Sequence, residues 1–169
     1  MKNIVLTGFM GCGKTTVGRL LAVALAVPFV DADSEIEKAA GMEIPAIFQT
    51  FGEPYFRRLE EEQIDKILCL DGVVLATGGG AVVSECNRKN FHEKGLSIYL
   101  QLNLDECVRR ISQDGSRPLG SGKPREELEA LFASRRAFYE ACDICYITDG
   151  KTPQQCAQEL SDLLRPLIK

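Results

Sequence analysis

Short apolar runs alternate along the chain with longer stretches in which apolar residues recur every three or four positions. The apolar runs cover residues 4–7, 28–30, 73–77, 96–102 and 144–148. The stretch after the first run is typical of an amphipathic helix, with apolar side chains at Val17, Leu20, Leu21, Ala24 and Leu25. Strands that alternate with helices indicate a parallel sheet covered on both faces. The pattern therefore predicts an α/β fold with three α/β/α layers around a five-stranded parallel sheet.

This topology also predicts where ligands bind. Right-handed crossovers place the loops that follow the strands along one edge of the sheet. Ligands of such sheets bind outside the carboxyl ends of the strands, so we expect functional residues just after positions 7, 30, 77, 102 and 148. A chain of 169 residues has the length of one domain, taken here as 1–169. The glycine- and proline-rich stretch at about 112–124 is predicted to be a mobile lid.

Composition and charge argue against several functions. The net charge is −4 and no basic stripe occurs, which argues against nucleic-acid binding. No apolar run is long enough to cross a bilayer, and the one near the N-terminus is too short for a signal peptide. We therefore expect seven free thiols in a reducing cytosol, and a structural role for the C-x-x-C pair Cys142 and Cys145. We expect a monomer, because no apolar stripe remains unexplained.

Residues 8–15 read GFMGCGKT and match the pattern G-x-x-x-x-G-K-[ST] between a predicted strand and a predicted helix. Glycines allow a backbone whose N–H groups point at phosphate oxygens, in front of a helix N-terminus. Lys14 is expected to reach the β- and γ-phosphates, and Thr15 to place its hydroxyl on Mg²⁺. The predicted nucleotide contacts in this segment are Gly11, Cys12, Gly13, Lys14, Thr15 and Thr16. The loop alone indicates binding of a nucleoside triphosphate, and the Asn-Lys-x-Asp pattern of a GTPase is absent from the sequence.

A second group of polar residues follows the second and third predicted strands. Asp31 and Asp33 share one face if the segment is extended, and Ser34 begins a predicted capping box that opens a helix. The three glycines at 78–80 expose backbone N–H groups to which a substrate can pack closely. The alternative for the two aspartates is a solvated carboxylate pair at a turn. The alternative for the three glycines is that they merely end the strand.

Arg135 lies on the apolar face of a predicted helix over 125–139, four residues after Leu131 and seven after Leu128, whereas Arg136 points elsewhere. A guanidinium on an inward face is costly unless it meets an anion. Arg135 is therefore a candidate anion-binding residue. The alternative is that its side chain extends to water.

Together these motifs resemble those of the shikimate kinase family, in its order and at its spacings over nearly the whole chain. They comprise the loop at 8–15, Asp31-Ala-Asp33, Phe56-Arg57-Arg58-Leu59-Glu60, Gly78-Gly79-Gly80, Arg117-Pro118-Leu119, and Arg135 with Tyr139. The resemblance implies a cytoplasmic P-loop kinase that uses ATP and Mg²⁺ to phosphorylate the 3-hydroxyl of shikimate in aromatic amino-acid biosynthesis. Two rivals are a small kinase for gluconate or a nucleoside monophosphate, and a nucleotide-binding regulator without catalysis.

The resemblance also implies roles on the acceptor side, in a region at about 31–61. Asp33 is expected to bind the acceptor hydroxyls and to help take the proton. Arg57 and Arg135 are expected to hold the substrate carboxylate in a pocket lined by Gly78–Gly80. Glu60 and the glutamate that follows it are placed three and four residues after Arg57, at positions suited to orient it.

On the donor side, the resemblance implies that Asp31 supports the Mg²⁺ shell with Thr15. Arg117 is expected to be a lid arginine that moves onto the phosphates. Arg110 corresponds to the arginine that stacks on adenine, and Pro153 falls in the adenine loop. The expected catalytic residues are Lys14, Asp33 and Arg117.

Cys12 differs from the small residues, such as Ala or Ser, that are usual at this position in the family. A thiol among inward-pointing N–H groups could have a lowered pKa. We hypothesise that oxidants inhibit the protein through Cys12 and that ATP protects it.

Overall fold

The computed structural model describes residues 1–113 and 122–168. Its strands are β1 (Asn3–Thr7), β2 (Phe29–Asp31), β3 (Val74–Ala76), β4 (Gly95–Gln101) and β5 (Ile144–Ile147). Its helices are α1 (Lys14–Leu25), α2 (Ala32–Ala40), α3 (Ile44–Phe51), α4 (Glu53–Leu68), α5 (Glu85–Lys94), α6 (Leu104–Gln113), α7 (Arg125–Glu140) and α8 (Pro153–Leu164), with a 3₁₀ turn at Ala81–Val83. Each predicted apolar run overlaps one strand.

The five strands form one parallel sheet in the order β2-β3-β1-β4-β5. The central strand β1 is buried along its whole length, as expected for a parallel strand with helices on both faces. Strands β2 and β3 lie on one side of β1, and β4 and β5 lie on the other, so the direction of winding changes beside β1. This is where open α/β sheets form a ligand-binding crevice, and the predicted three-layer fold is confirmed.

Helices pack on the sheet through apolar faces that the sequence pattern predicts. In α1, Val17 and Leu21 are buried, and α1 packs against α8, which buries Leu160 and Leu164. Each such side chain contributes about 1.5–3 kcal/mol when it is fully buried. Among the described residues, no helix is long and apolar enough to span a membrane.

Helices α2, α3 and α4 enclose a small apolar cluster of their own. Its buried members are Ile36, Ile47 and Phe56, and the rings of Phe48 and Phe56 are 4.7 Å apart. The cluster coincides with the region at about 31–61 that the sequence assigns to acceptor binding. It fixes the start of α2 relative to α4, and so positions Asp33 relative to Arg57.

Candidate active site

The loop between β1 and α1 has a backbone that glycine adopts most readily. Gly8, Gly11 and Gly13 have φ angles of 147°, 80° and 97°, which other residues rarely adopt. At Gly8 space also excludes a side chain, because an added Cβ would lie 2.7 Å from the sulfur of Cys12 and 2.8 Å from the carbonyl oxygen of Leu100. Helix α1 begins directly after the loop, so its unpaired N–H groups face it. The loop thus has the features that a phosphate site requires.

Lys14 points into this loop. Its ammonium group is buried and donates hydrogen bonds to the carbonyl oxygens of Gly8 at 2.8 Å and Phe9 at 3.1 Å. A buried charge needs such partners. The carbonyl groups therefore hold the cation beneath the position that the predicted phosphates would occupy.

A cleft of about 80 Å³ joins the loop to the ends of β2 and β3. The loop side contributes Gly11, Gly13, Lys14, Thr15 and Thr16, and the other side contributes Asp31, Asp33, Thr77, Gly78 and Gly79. The structure therefore brings predicted donor and acceptor residues together at the carboxyl edge of the sheet. This is the edge that the parallel topology predicts.

Thr15 and Asp31 meet beside the phosphate loop. The hydroxyl of Thr15 donates a 2.9 Å hydrogen bond to Oδ2 of Asp31. Hydroxyl and carboxylate oxygens are hard ligands of the kind that Mg²⁺ takes, with phosphates and water completing its shell. The pair fits the predicted metal site.

Asp31, and not Ser34, caps helix α2. Asp31 ends β2, and its Oδ1 accepts the backbone N–H groups of Asp33 at 3.1 Å and Ser34 at 3.4 Å. The helix begins at Ala32, so Asp33 lies in its first turn. Two predictions are therefore wrong, namely that Asp31 and Asp33 share a strand face and that Ser34 opens a capping box. Asp31 satisfies N–H groups that an extended strand would leave unpaired, which favours the earlier helix start.

Arg57 in α4 is held by two carboxylates of its own helix. It donates hydrogen bonds to Glu60 at 2.8 Å and to Glu53 at 3.3 Å. Burial acts to lower the pKa of Arg57, but the two glutamates outweigh it and raise that pKa. Glu61 accepts a hydrogen bond from Ser84 at 2.5 Å, so the prediction that Glu61 orients Arg57 is wrong and Glu53 has that position. Burial raises the pKa of Glu60, which is 1% exposed, against the opposing charge of Arg57.

The glycine run after β3 lies directly against the acceptor-side residues. An added Cβ at Gly78 would lie 3.1 Å from Oδ1 of Asp33 and 3.2 Å from Oε2 of Glu60. At Gly80 it would lie 2.7 Å from Nη1 of Arg57. Both positions are tighter than ordinary contacts allow, so side chains here would displace the charged groups. The run is therefore more than a strand terminator.

Arg135 is buried, and Arg136 is exposed, as their positions in the helix predict. Arg135 is 6% exposed, whereas the side chain of Arg136 is 63% exposed and pairs with Glu140 at 2.7 Å. Nη1 of Arg135 is buried, has no hydrogen-bond partner within the described residues, and would lie 3.8 Å from a Cβ on Gly79. Leaving such a donor unpaired is costly. Arg135 is therefore poised for an anion.

Tyr139 is a residue whose role the sequence did not reveal. Its hydroxyl donates a hydrogen bond to the carbonyl oxygen of Gly79. From the sequence, Tyr139 belongs to the apolar stripe of α7 and to a family motif. No local pattern points to a partner that lies in another element.

Of the two predicted adenine residues, Arg110 in α6 contacts the phosphate loop, and Pro153 lies at the start of α8. Arg110 donates hydrogen bonds to Glu106 at 3.0 Å and to the carbonyl oxygen of Gly11 at 3.3 Å. Hydrogen bonds from Arg109 and Arg110 lower the pKa of Glu106 to about 2. Pro153 is the first residue of α8. Arg110 is thus fixed against the loop, and Pro153 opens the helix after β5.

Arg117 and most of the predicted lid at 112–124 lie outside the described residues, which omit 114–121. The role of Arg117 stays a prediction.

All seven cysteines are free thiols, as expected. Burial raises the pKa of Cys142 and of Cys145, which is the opposite of what a redox pair requires. Cys12 is buried, with its sulfur 3.7 Å from Nζ of Lys14. It forms part of the loop wall and does not line the open cleft.

The chain is similar to known proteins over nearly its whole length. It matches the family model described as shikimate kinase over residues 10–165. It is 44% identical to the shikimate kinase of Pseudomonas fluorescens, over 99% of this chain and 98% of that protein. It is 45% identical to the shikimate kinase of Ruegeria pomeroyi, over 89% and 78%.

Solved structures show the same similarity. The shikimate kinase of Acinetobacter baumannii in complex with shikimate superposes with a TM-score of 0.92 at 36% identity, covering 100% of this chain and 96% of that one. A gluconokinase from Sinorhizobium meliloti superposes with a TM-score of 0.65 at 17% identity, covering 99% and 93%. At that identity, the second likeness concerns the fold alone.

Proposed function

The chain belongs to the shikimate kinase family, and from that premise we propose that it transfers the γ-phosphoryl group of ATP to the 3-hydroxyl of shikimate, giving 3-phosphoshikimate and ADP. One observation supports this acceptor above the others. The guanidinium groups of Arg57 and Arg135 both lie against the glycine run, close to the carboxylate of Asp33. Two cations suit a carboxylate, and the aspartate suits hydroxyl groups, so together they fit a carboxylated polyol.

On the donor side, the loop N–H groups and Lys14 bind the phosphates of ATP. Lys14 stabilises the charge that develops on the β- and γ-phosphates during transfer. Thr15 and Asp31 would hold Mg²⁺, which neutralises phosphate charge when bound. Arg110 and Pro153 hold the adenine ring, and Arg117 is proposed to approach the phosphates from the lid.

On the acceptor side, Arg57 and Arg135 bind the carboxylate, which fixes the ring. Asp33 accepts a hydrogen bond from the reacting hydroxyl and takes its proton as the oxygen attacks phosphorus. The bond to the β-phosphate oxygen breaks, and that oxygen leaves as part of ADP. Such transfer depends mainly on alignment and charge stabilisation. Arg57, Arg135 and Asp33 would align the acceptor, and Lys14 would stabilise the charge on the phosphates.

The test is ADP release by the purified protein with ATP and Mg²⁺, in the presence of shikimate, gluconate, AMP, CMP or no acceptor. We expect release with shikimate only. The variant Lys14→Ala is the control for a contaminating kinase, because it should lose the activity while keeping the fold. Equal turnover with gluconate or AMP would contradict the proposal in favour of another small kinase. No turnover with any acceptor, despite nucleotide binding, would favour a regulator.

We also propose that the protein acts in the cytoplasm, as a monomer, within aromatic amino-acid biosynthesis. Seven free thiols are compatible with a reducing compartment. Light scattering on a size-exclusion column should give a mass near the 18.6 kDa of one chain. A mass twice as large would contradict the monomer.

A further inference from the structure

Two aspartates link β4 to β5 in similar ways near opposite ends of the two strands. Asp143, just before β5, accepts hydrogen bonds from the backbone N–H and the hydroxyl of Ser97, at 2.7 and 2.6 Å. Asp149, just after β5, accepts hydrogen bonds from the backbone N–H of Asn103, at 3.2 Å, and from its side-chain amide. The pair of Asp149 and Asn103 lies at the carboxyl edge of the sheet, where the phosphate loop also lies.

This carboxyl-edge pair joins the two segments proposed to hold adenine. Asn103 immediately precedes α6, and its side-chain oxygen accepts the N–H of Glu106 at 2.9 Å. Glu106 in turn holds Arg110 at 3.0 Å. Asp149 lies four residues before Pro153, which begins α8. A single carboxylate therefore connects the start of the helix that carries Arg110 to the loop that leads to Pro153.

We infer that Asp149 is a positioning residue for nucleotide binding, acting through its hydrogen bonds to Asn103. The inference rests on the proposed roles of Arg110 and Pro153. A planar base inserted between a guanidinium and a proline ring needs a gap of fixed width. A gap that is already formed avoids the cost of ordering its walls when the nucleotide binds.

The hydrogen bonds between Asp149 and Asn103 contribute little to the stability of the fold. This pair lies at the surface, where a polar pair contributes little to stability. Strands β4 and β5 are already paired along four residues from Ile98↔Ile144 to Gln101↔Ile147. The effect of Asp149 should therefore appear in nucleotide affinity and not in the melting temperature.

The primary test is calorimetric binding of ADP and of inorganic tripolyphosphate, with Mg²⁺ and without acceptor. Asp149→Ala should weaken ADP binding by about three- to tenfold, the range of one lost hydrogen bond. Binding of tripolyphosphate should not change, because it has no base. In turnover, KM for ATP should rise by a similar factor, while kcat and the KM for shikimate stay the same.

The matched control is Asp143→Ala, which removes the corresponding link between the same two strands away from the ligand edge. It should leave ADP affinity unchanged. A second test reverses the polarity of the pair. Asn103→Asp alone sets two carboxylates against each other and should weaken ADP binding. Adding Asp149→Asn supplies an amide donor and should restore most of the ADP affinity. The carboxylate introduced by Asn103→Asp can still accept the N–H group that caps α6.

Several outcomes would overturn the inference. One is an ADP affinity in Asp149→Ala that equals that of the wild type, and another is an equally weakened ADP affinity in Asp143→Ala. The inference also fails if Asp149→Ala weakens tripolyphosphate binding as much as ADP binding. It fails as well if the double variant binds ADP no better than Asn103→Asp alone. Melting curves identify any variant that fails to fold, and the double variant then decides the question. If the wild-type protein does not phosphorylate shikimate, the proposed function fails, but the comparison of ADP binding can still be made. The two failures are therefore distinguishable.

Discussion

The hydroxyl group of Tyr139 donates a 2.5 Å hydrogen bond to the carbonyl oxygen of Gly79, across 60 positions of the chain. Tyr139 is fully buried, and its ring stacks on that of Tyr99 with centroids 5.2 Å apart. Burial raises the pKa of this hydroxyl, so it remains a donor at neutral pH. The bond fixes the middle glycine of the run, which lies beside Arg135.

Tyr139→Phe should raise the KM for shikimate and lower the free energy of unfolding. The carbonyl group of Gly79 loses a buried partner, which costs about 1–3 kcal/mol. Urea unfolding and steady-state kinetics measure the two effects. Tyr146→Phe is the control, since the hydroxyl of Tyr146 donates to Glu159, away from the glycine run. An equal rise in KM for ATP would show that the effect is general and not confined to the acceptor site.

Arg135→Ala should raise the KM for shikimate by about 10- to 150-fold, the range of a lost hydrogen bond to a charged group. ATP binding should change less, because Arg135 is proposed to bind the acceptor carboxylate, whereas Lys14 and the loop N–H groups are proposed to bind the phosphates. Arg136→Ala is the matched control, since Arg136 is exposed and pairs with Glu140. If Arg136→Ala produces the larger effect, the assignment of the anion-binding arginine is wrong.

Glu60→Gln should change how stability depends on pH. Burial raises the pKa of Glu60 above its ordinary 4.5. Between about 4.5 and that raised pKa, the folded state retains a proton that the unfolded state releases. The wild-type free energy of unfolding should therefore fall, relative to that of Glu60→Gln, as the pH rises from about 4.5, and the difference should level off above the folded pKa.

Urea unfolding at a series of pH values measures this difference. Glu62→Gln, at an exposed position of the same helix, is the matched control. Parallel curves for wild type and Glu60→Gln would contradict the prediction.

Thr15→Val should raise the Mg²⁺ concentration needed for half-maximal activity and lower kcat. The variant keeps the shape of the side chain but loses the hydroxyl that bonds to Asp31 at 2.9 Å and that is proposed to bind the metal. Removing Mg²⁺ with a chelator should abolish wild-type activity. Thr50→Val, at an exposed position in α3, should behave as wild type. An unchanged Mg²⁺ requirement in Thr15→Val would argue against the metal site.

Oxidants should inactivate the protein slowly, with protection by ATP, and should not inactivate Cys12→Ala. Cys12 is only 2% exposed, whereas Cys69, Cys86 and Cys145 are exposed. The exposed thiols should therefore react first without loss of activity. Mass spectrometry of partly oxidised samples, compared with residual activity, gives the order of events. Equal inactivation of Cys12→Ala would refute the hypothesis.

Much of the fold was predictable because its signals are local. Five apolar runs identified the strands, and their alternation with amphipathic helices identified a parallel sheet. The loop at 8–15 was predictable because its glycine pattern lies within eight consecutive residues. The structure agrees, since these glycines have positive φ and α1 follows at once. Arg135 was predictable as a buried residue because helical periodicity places it on the apolar face of α7.

The wrong predictions arose where two local signals compete. Both Asp31 and Ser34 are good N-caps, and the sequence alone favoured Ser34 because a glutamate follows three residues later. In the structure β2 ends at Asp31, and its carboxylate accepts the first N–H groups of α2, so Asp31 is the N-cap. Similarly, Glu60 and Glu61 are both spaced to reach Arg57, but the packing of α4 turns Glu61 toward Ser84.

The sequence by itself determined the elements, the edge of the sheet at which ligands bind, and the residue types of a phosphate and anion site. These follow from periodicity and motif spacing, which involve neighbours along the chain. Only the tertiary structure decided that Gly78 leaves no room for a side chain beside Asp33 and Glu60, that Gly80 leaves none beside Arg57, and that Tyr139 donates a hydrogen bond to Gly79. The physical reason is that these contacts join separate elements, whose relative positions are set by close packing of the whole core.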